Sequence, residues 1–154
     1  MIKDHTEGYY WQDDYYPNMS HVYKNKNYKY DIDVRLIDGC GDSVSHQRLE
    51  KSVEVLKEFE EKLPFRSFAI VSPLVPPHPC EEHNWIQLRG TMDYHDYGEF
   101  VLKYLHKYFD AKHVLLIQWD CFITNIDKWK DEFLDYDLVY TISDGFQKDD
   151  SEFI

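Results

Sequence analysis

The sequence predicts an α/β fold, a mostly parallel β-sheet flanked by helices. Three observations carry that reading. Short apolar runs alternate with amphipathic segments in the order strand, helix, strand, strand, helix, strand, helix, strand, which is the pattern of strands joined by crossover helices. The most apolar run, "HVLLIQW" at 113–119, has the continuous hydrophobicity of a strand covered on both faces and is expected at the centre of the sheet. The chain has 154 residues, 43% hydrophobic and 30% charged, which is the size and balance of one folded domain with a core of its own.

Element by element, residues 1–26 hold many Tyr, Asp, Asn and His and few aliphatics, and read as an irregular arm packed by its aromatic rings. Seven of the 13 tyrosines lie in the first 30 residues. From Tyr28 to Leu36, Tyr28, Tyr30, Ile32, Val34 and Leu36 alternate with polar residues, the period of a strand with one buried face. "DGCGDS" stops it, with Gly39 and Gly41 allowing a tight change of direction. In 45–63, Leu49, Val53, Leu56, Phe59 and Leu63 fall on one helical face opposite Lys and Glu. Ser43 or Ser45 caps that helix and Pro64 follows its end. "FRSFAIVSP" is a short buried strand, "SPLVPPHPC" a proline-rich loop and "NWIQL" a weaker strand. The span 93–109 is a second amphipathic helix, with Tyr97, Val101, Tyr104 or Leu105, and Tyr108 inward and Gly98 near its start. "DKWKDEFLD" reads as a short helix and "DLVYTI" as a last strand. The expected organisation is therefore an arm at 1–26, an α/β domain at 27–142 and an acidic tail at 143–154.

A net charge of −12 argues against nucleic acid, whose binding rests on clustered Lys and Arg, and against an anionic membrane surface. It leaves room for a phosphate-bearing small molecule, because one divalent cation inverts the local field. No apolar run approaches the ~20 residues of a membrane-spanning helix, and "MIKDHTEGYYWQDD" lacks the apolar stretch of a secretory signal. Cys40, Cys80 and Cys121 form no CxxC pair and leave one over, which fits a reducing, cytoplasmic setting. The histidines show no metal-ligand spacing.

Ligands of open parallel sheets bind outside the carboxyl ends of the strands. "DGCGDS" and "WDCFITN" both fall there, and both carry acids. Asp120 is then a ligand for a hard divalent ion, which needs few carboxylates when substrate phosphates share it, or else a turn cap or solvated strand end. The "DGCGDS" loop presents backbone N–H groups to a phosphate or is an ordinary turn into a helix, without the GxGxxG or Walker pattern. Asp38 is placed to accept hydrogen bonds from a base or ribose. Lys103 reads from spacing alone as a surface lysine.

One long stretch adds to this. From Tyr97 to Asp137, "YGEFVLKYLHKYFDAKHVLLIQWDCFITNIDKWKDEFLDYD" resembles a glycosyltransferase-like family, bacterial and fungal, whose shared segment runs F-V-L-K-x-L and then H-V-L-L-x-Q-W-D-G-F-x-x-N-P-x-x-W-x-x-E-F-L-x-Y-D-Y-I-G-A-P-W. That family is similar to nucleotide-sugar transferases of the GT-A type, with a Rossmann-like sheet. The resemblance implies a nucleotide-diphosphate sugar bound through Mn²⁺ or Mg²⁺. It implies Asp120 as the acid on the metal, Gln118 where a first acid would stand, and Lys103, Asp38, Gly39, Trp119 and Asn125 around the donor. The departures are Cys121 for the family's Gly, Ile126 for its Pro, and Leu138 to Ile142 in place of Y-I-G-A-P-W. The later portion that supplies acceptor contacts in such enzymes is short here, so the acceptor is not implied. The expectation is a transferase domain truncated after the metal motif or part of a larger assembly; the alternative is a non-catalytic binding module that keeps only the fold.

Overall fold

The computed structural model describes residues 11, 15–41, 45–75 and 84–139. The chain divides into two compact units, Met1–Phe122 and Ile123–Ile154.

The first unit is an α/β sheet structure. Strands β1 (Tyr30–Ile37), β2 (Phe65–Ser72), β3 (Trp85–Gln87) and β4 (His113–Ile117) form one sheet in the order β3-β2-β1-β4, and every pairing is parallel. Helix α1 (Ser45–Lys62) links β1 to β2, and helix α2 (Tyr94–Lys103), continued by a 3-10 turn Leu105–Tyr108, links β3 to β4. The α1 face expected from its period is the buried one: Leu49, Val53, Leu56, Phe59 and Leu63 are all shielded from solvent. Each such side chain contributes roughly 1.5–3 kcal/mol of transfer free energy. Pro64 cannot extend the helix, and its carbonyl instead accepts from the N–H of Lys29 and Tyr30, which starts β1. The second cluster lies over Ile37, Ala69, Val71 and Ile86 and is filled by Phe100, Leu105, Tyr108 and Trp11.

Several expectations change. The strand expected at 28–36 begins at Tyr30, and it is buried on both faces, not one. Its polar residues Asp33 and Arg35 are inside, where they satisfy each other and the backbone around them. β1, rather than the more apolar 113–119 segment, is therefore interior to the described sheet. β4 pairs with β1 alone, and four of its five residues are only partly buried. The helix expected over 93–109 is shorter because the chain tightens into the 3-10 turn after Tyr104. Asp93 is its N-cap, with a reciprocal capping box to Asp96.

The arm is anchored by its aromatics. Trp11 is buried, and Tyr15 Oη donates to the Gln87 carbonyl at 3.2 Å. The Trp85 carbonyl bonds His21. β3 meets β2 through the Asn84 carbonyl and the Leu88 N–H, so the arm supplies side-chain partners to the opposite edge of a three-residue strand. Covering an edge in this way removes a template for pairing with another chain.

In the second unit, the expected helix in "DKWKDEFLD" is instead two 3-10 turns, Ile126–Lys128 and Asp131–Asp135. Trp129 and Phe133 meet edge to face, centroids 5.4 Å apart. Of the expected strand 137–142, residues 137–139 are not in a strand, and 140–142 lie outside the described residues, as does the tail 143–154. Ser43 and Cys80 also fall outside them. Among the described residues no helix is long and apolar enough to cross a membrane.

Candidate functional site

The strand order contains one reversal. From β1 the chain steps through β2 to β3 and then returns over the sheet to β4, on the other side of β1. In open parallel sheets the crevice outside the carboxyl ends of two such strands is where ligands bind. Here that point lies between β1 and β4, which are paired with Leu36 opposite Ile117. Two residues further on in each strand stand Asp38 and Trp119.

Asp38 continues the ladder, its N–H donating to the Val71 carbonyl at 2.9 Å. Its carboxylate is buried and does not stand open to a base or ribose. The Arg48 guanidinium meets it with Nε 3.3 Å from Oδ2 and Nη2 3.5 Å from Oδ1. Gly39 is required by packing. Its backbone is not in the left-handed region. A Cβ there would overlap Met92 Cγ and lie 2.9 Å from Sδ and 3.1 Å from Cε. Met92 cannot retreat freely, since its N–H donates to the Gly39 carbonyl at 2.9 Å. Gly39→Ala is expected to cost about 1–3 kcal/mol in chemical denaturation; an unchanged midpoint and slope would show that Met92 yields without cost. Gly41, at φ 63°, does need glycine's backbone freedom.

The motif at the end of β4 is a tight turn. Gln118 N–H donates to the Cys121 carbonyl at 2.8 Å and Cys121 N–H to the Gln118 carbonyl at 3.2 Å. Among the described residues, which include the whole turn, no non-glycine residue has positive φ, which excludes turn types I′, II′ and II. Trp119 and Asp120 occupy the two central positions, both exposed. The Gln118 side chain hydrogen-bonds the Tyr97 hydroxyl from the first turn of α2. Burial pushes that hydroxyl above the ordinary tyrosine range, and the bond to Gln118 opposes the shift. After the turn, Phe122 packs edge to face on Phe59 of α1, centroids 6.2 Å apart. The turn is thus held from both helices, with Asp120 at its tip.

The fold brings Asp38, Gly39, Gln118, Trp119 and Asp120 to one sheet edge. It does not bring Lys103 there. A crossover helix between parallel strands runs from the carboxyl edge back to the amino edge. Lys103 lies six residues beyond Tyr97, about 9 Å along the axis at 1.5 Å per residue. Its Nζ pairs with Glu99 at 3.3 Å on an exposed face. Asn125 belongs to the second unit, where its Oδ1 accepts from the Asp127 N–H at 3.1 Å.

Sequence reasoning missed two residues here. Tyr97 was readable only as an inward helical position. Arg48 was readable as surface charge, yet it precedes buried Ser52 by four residues and buried Phe59 by eleven, which puts it on the inward side of α1.

Among the described residues the Asp120 carboxylate has no ion-pair or hydrogen-bond partner, so its oxygens are available. Among them, too, no group of three or more His, Cys, Asp or Glu is arranged to hold a metal ion. A hard divalent ion that keeps waters and shares phosphate oxygens fits a single exposed carboxylate; a cation held by protein atoms alone does not. The chain matches no family model, no curated protein and no solved structure.

Proposed function

We propose that the first unit is a GT-A-like domain that binds a nucleotide-diphosphate sugar together with Mn²⁺ or Mg²⁺ and serves glycosyl transfer. The observation that carries the reading is the Gln118–Cys121 turn, which holds an exposed, unpartnered Asp120 beside the β1 loop at the point where the strand order reverses. Support comes also from the order β3-β2-β1-β4, with which doubly wound nucleotide-binding sheets begin, and from the resemblance of residues 97–137 to the glycosyltransferase-like family.

Asp120 would hold the cation, which offsets the charge that develops on a departing diphosphate. Trp119, exposed next to it, offers a flat apolar face to a sugar or base. The Gly39 and Cys40 backbone would form the opposite wall. The acceptor and the stereochemical course are not part of this proposal. A second reading, a binding module without chemistry, is favoured by Gln118: an amide occupied by Tyr97 stands where a second acid would strengthen metal binding.

Thermal denaturation with Mn²⁺ and a panel of UDP-, GDP-, ADP- and CDP-sugars tests the donor reading. A ligand at a hundredfold excess over its Kd stabilises by about 2.7 kcal/mol, several degrees in Tm for a domain of this size. The shift should appear with at least one donor, require the metal and vanish in Asp120→Ala. A panel without effect on the wild type, or a shift that Asp120→Ala retains, would defeat it. Sugar release or transfer with the same donor then separates transferase from binding module.

A further inference from the structure

The exposed tip of the proposed site is anchored only through its neighbours. Trp119 and Asp120 stand at the centre of the turn, and among the described residues neither side chain has a hydrogen-bond or ion-pair partner. The direction of the Asp120 carboxylate is therefore set from residues 118 and 121. Among the described strands β4 pairs with β1 alone and the ladder stops at Ile117, so the turn projects beyond the sheet. The two backbone hydrogen bonds between Gln118 and Cys121 set its shape but not its tilt. Phe122, on Phe59 of α1, holds the chain only where it leaves the turn. At the entry stands one further tie, the hydrogen bond from the Gln118 side chain to the Tyr97 hydroxyl.

We propose that the Tyr97 hydroxyl, acting through Gln118, holds Asp120 in the orientation that receives the metal and diphosphate of the donor; this inference rests on the donor-binding reading above. Helix α2 does not need that hydroxyl. Its amino end is capped by Asp93, with the capping box to Asp96. The Tyr97 ring packs against the apolar cluster that contains Phe100, Leu105 and Tyr108, as a phenylalanine ring would. A hydroxyl drawn out of water at such a place costs free energy unless it is bonded, and Gln118 supplies the bond. What the pair adds is a fixed distance between two loops. One residue ahead of the α2 cap, Met92 N–H donates to the Gly39 carbonyl at 2.9 Å. The first turns of α2 thereby join the β1 loop at Gly39 to the β4 turn at Gln118, the two walls of the proposed site. Groups that orient a metal ligand in this indirect way change metal affinity by roughly 10–100-fold when removed. Tyr97 is then a positioning residue.

Equilibrium binding of UDP, GDP, ADP and CDP with Mn²⁺ to the full chain tests this, with urea denaturation of the same proteins alongside. The wild type should bind at least one nucleoside diphosphate in a metal-dependent way. Tyr97→Phe should weaken that binding roughly tenfold while its unfolding midpoint stays close to that of the wild type. Gln118→Ala should weaken it to a similar extent. The double variant should be no worse than either single one, because both changes remove the same bond. Should Tyr97→Phe fail to fold, Gln118→Ala decides in its place. Losses that add in the double variant overturn the assignment, since the hydroxyl and the amide would then act separately. Affinity equal to wild type in folded Tyr97→Phe overturns it too and leaves the donor reading standing. A wild type that binds no nucleoside diphosphate overturns both.

Discussion

Asp33→Asn should lower the unfolding free energy by about 3–5 kcal/mol, the cost of removing one member of a buried, fully bonded charge cluster. Asp33 is 1% exposed in the middle of the central strand. Its Oδ1 accepts from Ser67 Oγ at 2.5 Å, and its Oδ2 from Arg66 Nη1 at 3.1 Å and from the N–H groups of Asp110 and Ala111, both at 2.9 Å. Arg35, 3.6 Å away, donates from Nε to the Tyr108 carbonyl at 2.7 Å. The cluster thereby fixes the bend through which the chain leaves α2 and enters β4, and so the register in which β4 presents its turn. Asparagine fits the space but turns one oxygen into a donor that faces donors. Burial taken alone would raise the Asp33 pKa. Arg35, the Ser67 hydroxyl and the two backbone N–H groups outweigh it and hold the carboxyl below its ordinary 3.8. A carboxyl with a depressed folded pKa stabilises above its unfolded value and loses that contribution as pH falls through the folded one. The difference between wild type and Asp33→Asn in urea denaturation should therefore be full at neutral pH and shrink below about pH 3.8. A gap that stays constant into acid would show that shape, not charge, sets the cost.

That cluster also explains what the sequence hid. Periodicity revealed α1 faithfully, because its face is built from Leu, Val and Phe and buried apolar residues are what a period detects. The same test misjudged β1. Asp33 and Arg35 look like the solvent side of an alternating strand, yet they are inside because Ser67, Arg66 and two backbone amides satisfy them across long sequence separations. β4 was misjudged in the opposite sense: a continuous apolar run reads as central, but hydrophobicity does not tell which side of the sheet a strand joins. Asp120 at the end of β4 and Asp38 at the end of β1 were legible as strand-end acids, since that needs only the strands. Their nearness needed the order β3-β2-β1-β4, which rests on crossover directions that no local pattern encodes. Arg48 and Tyr97 were invisible as site residues for the same reason, as each acts on a residue of another element.

Trp11→Ala should cost a further ~3–5 kcal/mol, the range for deleting a large buried aromatic and leaving its cavity. Trp11 is fully buried although it belongs to a stretch whose composition reads as an irregular arm. Its ring meets Phe100 and Tyr104 of the α2 segment edge to face, with centroids 5.8 and 5.4 Å apart, and Nε1 donates to the Thr91 carbonyl at 3.2 Å. Phe100 in turn packs on Tyr108 at 5.2 Å. The indole is therefore a shared wall between the arm, the loop before α2 and the helix itself, and the loss should not stay local. Among the described residues the arm then keeps buried Val22, the Lys24–Ser67 bridge, the Asn25 N–H on the Arg66 carbonyl and a set of exposed side-chain contacts: Tyr15 on the Gln87 carbonyl and under Arg89, His21 on the Trp85 carbonyl, and Lys107 over the Tyr16 ring at 4.8 Å. Exposed contacts of this kind contribute little each. The arm should detach in the variant before the sheet unfolds, and hydrogen exchange should report faster exchange across 84–92 than across β1. Trp11→Phe, which keeps an aromatic body but loses the Thr91 bond, should fall between the wild type and the alanine variant. A Trp11→Ala protein within 1 kcal/mol of wild type, with 84–92 still protected, would mean that the arm is held by its other contacts and that the indole merely fills space.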